Sequence, residues 1–150
     1  MAIFYDTNIL IAIARDSSKI EKIRNRVNKT KEVEYISVVS IAEIESLAYR
    51  NRWGESKKNR LRSLLNDLNV VDINDNGIIE KYVEIDAYSQ GKHIHLKLPL
   101  SSRNMGKHDI WIASTACYLK MKLITTDKDF DHLQQIFIDL ERFLPSNLIE

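Results

Sequence analysis

Cysteine occurs once in the 150 residues, at Cys117. That excludes a disulfide within the chain and a zinc cluster built on cysteines, and it fits a reducing cytoplasm. Long apolar runs are missing as well. The longest uninterrupted one, Ile9 to Ala14, falls far short of the roughly 20 residues a membrane span requires. No secretory leader is expected, because no basic residue precedes the first apolar run and Asp6 interrupts it early. Nor does one sign of charge dominate. The 22 basic residues face 21 acidic ones, so the overall balance neither demands nor excludes a polyanionic partner. Repeats and low-complexity linkers are absent. What remains is an ordinary globular composition, 44% hydrophobic and 29% charged, in a length that a single domain over residues 1–150 fills with its own core.

Four short runs rich in Ile, Val, Tyr and Thr read as strands: residues 2–5, 33–39, 69–73 and 122–126, with a weaker fifth at 136–138. Helical spacing of apolar residues predicts helices between them. These cover 8–15, 18–28 with Ser18 as cap, 40–50, 56–68, 75–89 and 107–119. The last is apolar nearly all round, so it is expected to be buried. Strands alternating with helices of this length point to an α/β fold, a central, mostly parallel sheet between two helical layers. Residues 91–106, which hold Pro99, Ser101, Ser102 and two glycines, read as a long loop. Loops of that length usually serve a site or a partner. The tail from Leu140, with Phe143, Pro145 and Ile149, is expected to dock on the domain or meet a partner.

In such a sheet, strand C-termini and the helix N-termini that follow share one edge, where ligands bind. Asp6 follows the first strand and Asp127 follows the run LITT. Glu43 is expected in the first turn of the helix after the second strand, and Asp109 in the first turn of the buried helix. Each alone has a bland explanation as a helix cap, a turn residue or a solvated side chain. Together they form a set whose mutual repulsion, about 4 kcal/mol for a pair ~4 Å apart at an effective dielectric near 20, requires protons or a cation. Hard divalent ions take oxygen ligands, and Mg²⁺ is typically held by a few carboxylates plus substrate phosphates. The residues therefore point to a Mg²⁺ site, with Mn²⁺ as substitute, acting on a phosphate-bearing substrate.

The segments YDTN at 5–8, SIAEIE at 40–45, HDIWIASTA at 108–116 and TTDKDF at 125–130 resemble, in order, the acidic motifs of PIN-domain ribonucleases, most closely the VapC-like toxins of toxin–antitoxin pairs. The resemblance spans nearly the whole chain. It implies a three-layer α/β/α fold, metal-dependent cleavage of RNA, frequent homodimers and inhibition by an antitoxin. Residue by residue it implies catalytic and metal-binding roles for Asp6, Glu43, Asp109 and Asp127, with support from Asn8, Thr126 and Asp129. Two features depart from the pattern: His108 before the third acid, and the long 91–106 connection.

Cations suited to an RNA backbone crowd beside the Glu43 helix, at Arg50, Arg52, Lys57, Lys58, Arg60 and Arg62, and Lys92, Arg103 and Lys107 flank the third acid. For Lys57 and Lys58 a solvated helix face is slightly the better account. Trp53 and Trp111 can stack bases or belong to the core. Two rival functions stay open. A phosphohydrolase would use Asp6 as covalent nucleophile, but that chemistry usually places a second Asp two residues on, where this chain has Asn8. The other is a non-toxin RNA-processing or RNA-binding domain, and in a non-enzymatic RNA- or protein-binding module the acids would merely cap helices.

Overall fold

Residues 1–148 are described in a computed structural model. Five strands form one sheet: β1 Ile3–Tyr5, β2 Glu34–Ser37, β3 Asn69–Val71, β4 Lys122–Thr125 and β5 Asp139–Arg142. Their order across it is β3-β2-β1-β4-β5, and every pairing is parallel. β1 is central. Its Tyr5 faces Ile36 of β2 on one side and Ile124 of β4 on the other.

Alternation along β1 sorts its side chains between two cores. Ile3 and Tyr5 join α1 (Thr7–Arg15), α2 (Ile20–Val27), α3 (Val38–Arg50) and α4 (Glu55–Asn66) through Leu10, Ile13, Ile23, Ile44 and Leu64. Phe4 joins α5 (Asn76–Ser89) and α6 (Lys107–Leu119) through Ile85, Tyr88, Ile112 and Ala113. The result is the expected three-layer α/β/α architecture. α6 is buried from Ile110 to Ala116 apart from half-buried Trp111, while Tyr118 and Leu119 at its end are exposed, so its apolar character buries the middle of the helix rather than its whole length. Among the described residues no helix is long and apolar enough to cross a membrane.

Several boundaries differ from the sequence reading, each for a local reason. α3 begins at Val38 rather than Ser40, because the Ser37 hydroxyl accepts the Val39 N–H at 3.0 Å and caps the helix two residues early. Glu43 therefore lies in the second turn. α2 begins at Ile20; Ser18 bonds to Asp16 Oδ1 instead of capping a helix. The fifth strand is not 136–138 but β5, whose Leu140 is its buried residue. The Gln134 side chain clamps Leu140 by its N–H (2.7 Å) and carbonyl (3.0 Å), after a left-handed turn at Gln135 uses up the apolar run before it. The 92–106 connection lacks regular secondary structure, yet Leu98 and Met105 anchor it in the second core. In the tail Phe143 packs on the first core, while Ile149 lies outside the described residues.

Candidate active site

Asp6 ends β1 and caps α1. Its Oδ1 accepts the Thr7 N–H at 2.8 Å and its Oδ2 accepts the Thr125 hydroxyl at 2.7 Å, so both oxygens are held. The side chain is 3% exposed. Burial pushes its pKa up to about 7. The Thr125 hydrogen bond opposes that rise, while Asp109 and Asp127 add to it.

The Thr125 hydroxyl also accepts the Asp127 N–H at 3.0 Å, which ties the end of β4 to β1. Asp127 in turn accepts the Asp129 N–H at 2.9 Å and caps the short helical turn Lys128–Leu133. Asp109, in the first turn of α6, lies beside them. Oxygens of Asp109, Asp127 and Asp129 all fall within 4.8 Å of one another. Burial, then Asp127, Glu43 and Asp129, raise the Asp109 pKa to about 6, against a small lowering by His108.

Glu43 reaches the same edge from the other layer. The Thr7 hydroxyl lies 2.8 Å from Glu43 Oε1 and 2.9 Å from the buried Ser40 hydroxyl. Having one proton, Thr7 gives it to the carboxylate and accepts from Ser40. His108 Nδ1 stands 3.4 Å from Glu43 Oε2, bridging α6 to α3 across the site.

Two carboxylates 4.8 Å apart repel by about 3.5 kcal/mol at an effective dielectric near 20. Burial comes first in raising both Asp6 and Asp109, and the neighbouring carboxylates add to the rise of each. A set of oxygens only, drawn from Asp109, Asp127 and Asp129 with Asp6 and Glu43 alongside, suits a hard divalent cation in the Mg²⁺ class.

The structure thus gathers Asp6, Glu43, Asp109, Asp127 and Asp129 at one edge. Asn8 and Thr126 make none of the hydrogen bonds that hold these acids. They line an adjoining groove of about 410 Å³ with Ile11, Arg15 and Pro145, and it is Thr125 that holds Asp6. Thr7, Ser40 and Thr125 went unrecognised in the sequence. Ser40 had a readable signal, since a residue three before Glu43 shares its helix face. Trp111 packs against Tyr82 with ring centres 4.4 Å apart, and Trp53 packs on the first core under Lys57, whose Nζ sits 3.9 Å from the ring centre.

The PIN domain family model matches residues 3–136. No curated protein sequence matches the chain. Among solved structures, VapBC2 from Rickettsia felis bound to a DNA fragment from its promoter is similar, with 19% identity and a TM-score of 0.73 over 95% of this chain and 98% of that one. VapBC-1 from nontypeable Haemophilus influenzae gives 23% identity and 0.71 over 95% and 98%. A toxin–antitoxin complex from Klebsiella pneumoniae gives 23% and 0.61 over 86% and 90%. At these identities the likeness is one of fold.

Proposed function

The chain belongs to the PIN-domain family, and we propose on that premise that it is a divalent-metal-dependent endoribonuclease, a single domain over residues 1–150 that acts as the toxin of a toxin–antitoxin pair. The observation that carries this reading is the gathering of acids from both layers at the C-terminal edge of the sheet, with three carboxylates offering oxygens within 4.8 Å of one another. Asp6, Glu43, Asp109 and Asp127 are the catalytic and metal-holding residues, and Asp129 shares the work of Asp127. A bound Mg²⁺ or Mn²⁺ would supply Lewis-acid polarisation of the phosphate and a lowered pKa for water.

The chain's own groups do the rest. Asp6 is held rigid by two hydrogen bonds, so its oxygens keep their direction. Glu43, oriented by Thr7 and His108, is placed to take a proton from the attacking water. Attack at phosphorus releases the 3′-oxygen and leaves a 5′-phosphate. Exposed Arg50, Arg52, Arg60 and Arg62 on and beside α3 and α4 meet the RNA backbone. The covalent phosphohydrolase route fits poorly, because a nearly inaccessible carboxylate with both oxygens engaged and a raised pKa is a poor nucleophile.

An antitoxin is the proposed protein partner, a reading supported by the toxin–antitoxin complex among similar folds. A homodimer in the cytoplasm is proposed with it; exposed Ile79, Val83, Tyr118 and Leu119 of α5 and α6 offer apolar surface for a second chain. The test is to incubate the purified protein with tRNA, rRNA and mRNA, with Mn²⁺ or with chelator. Cleavage that needs the metal and disappears in Asp109→Ala is expected. Cleavage that persists in chelator, or in that variant, would refute the reading.

A further inference from the structure

The 92–106 connection carries a cation, Arg103, that no acid among the described residues answers. Arg103 donates its backbone N–H to the Ser89 carbonyl at 2.8 Å, which fixes it against the last turn of α5. Its side chain is half-buried, and the Nε–H is buried without an acceptor. Among the described residues no carboxylate lies within 4.0 Å of this guanidinium. It sits near the His132 ring, whose pKa is lowered first by burial and then by the Arg103 charge. The Nε–H itself is out of reach from outside, so the terminal guanidinium nitrogens, which no side-chain hydrogen bond or ion pair among the described residues engages, are the donors an incoming anion can meet.

The space beside it fits such an anion. A cavity of about 250 Å³ is lined by Ser101, Ser102, Arg103, Asn104, Met105 and Asp129. The serine hydroxyls, the Asn104 amide and the guanidinium supply donors, and a guanidinium fork matches phosphate oxygens in pairs. Asp129 belongs both to this cavity and to the acid group, so the two sites adjoin. We infer that this cavity receives the phosphate next to the scissile one on the RNA strand, with Arg103 as its charge partner. The inference rests on the ribonuclease reading. It gives the long connection a task, which is to set the strand so that one phosphate meets the cation and its neighbour meets the carboxylates.

The test uses the full-length protein, an RNA oligomer that it cleaves and Arg103→Met, which keeps the packing stem and removes the charge. The oligomers carry 5′-hydroxyl ends, so a terminal phosphate cannot substitute for an internal one. Arg103→Met is expected to raise KM about tenfold with kcat within about twofold, and to flatten the salt dependence of binding by about 0.7 in log–log slope, the share of one single-strand phosphate contact. Neutral methylphosphonates are then placed singly at each linkage flanking the cut. One position is expected to cost the wild type about tenfold and to cost Arg103→Met nothing more. Losses that multiply at every position, or an Arg103→Met enzyme that matches the wild type, overturn the inference and leave the nuclease intact. An inactive wild type removes both. Should Arg103→Met fail to fold, the wild-type scan still decides: no sensitive linkage beside the cut means no such site.

Discussion

Replacing Asp6 with Asn removes a buried charge while preserving its shape. The Asn carbonyl accepts the Thr7 N–H as before, and its amide donates to the Thr125 hydroxyl, reversing a bond that the aspartate accepts. The folded-state pKa of Asp6 is about 7, against 3.8 for the free side chain. The native state therefore binds more protons than the unfolded chain between these values, and stability falls as pH rises through that window. Three pKa units at 1.36 kcal/mol each set a ceiling of about 4 kcal/mol at pH 8. Part of the rise comes from the charges of Asp109 and Asp127, and Asp109, itself raised, takes up protons in its place, so the net gain for Asp6→Asn is about 2 kcal/mol. For a chain of this length that is a rise of roughly 4–8 °C in Tm. The assay is thermal or urea unfolding in chelator at pH 4 and pH 8. The gain is expected at pH 8 and should vanish near pH 4, where the aspartate is already protonated. Asp6→Ala, which loses the cap, should be destabilised by about 1 kcal/mol relative to Asp6→Asn at either pH. An Asp6→Asn protein less stable than wild type at pH 8, or a difference independent of pH, would show that this carboxylate is a structural cap.

Metal should act in the opposite direction. Mn²⁺ at about 100 times its Kd is expected to stabilise the wild type by ~2.7 kcal/mol in calorimetry and to do little for Asp109→Asn; equal shifts in both would place the ion elsewhere. Thr125→Val removes the hydroxyl that links Asp6 to the Asp127 backbone, so metal affinity or activity should drop roughly 10–100-fold in a Mn²⁺ titration, whereas Thr126→Val should leave it near normal. The reverse ranking would mean that the wrong threonine carries the support. Phe4, fully buried where β1 meets the second core, should cost about 3–5 kcal/mol when cut to Ala, read from the urea midpoint. A loss below about 1 kcal/mol would contradict its central place.

Much of this arrangement could be read from the chain. The alternation of strands and helices fixes which ends of β1 and β4 carry Asp6 and Asp127, and helix α6 has the bounds its apolar pattern predicts. Capping chemistry was harder to read. SVVSIAE looks like strand through its two valines, and only the Ser37 hydroxyl bond to Val39 reveals that the helix has begun. The choice between Thr125 and Thr126 depends on strand pleat, because one of two adjacent threonines faces β1 and its neighbour turns to the groove. β5 is hard to read in the sequence because DLER, a largely half-buried edge strand, carries one apolar residue and no run.

The hydrogen bond from Thr125 to Asp6 joins positions 119 residues apart. During translation, at ~5–20 residues per second, the first strand waits several seconds or more for the neighbour that completes its other side. Until then β1 can pair with β2, but the carboxylates from the two halves of the polypeptide have not met. Until Asp127 and Asp129 emerge, a nascent or prematurely terminated product holds Asp6 and Glu43 without the acids they meet in the folded chain, so the centre is not assembled.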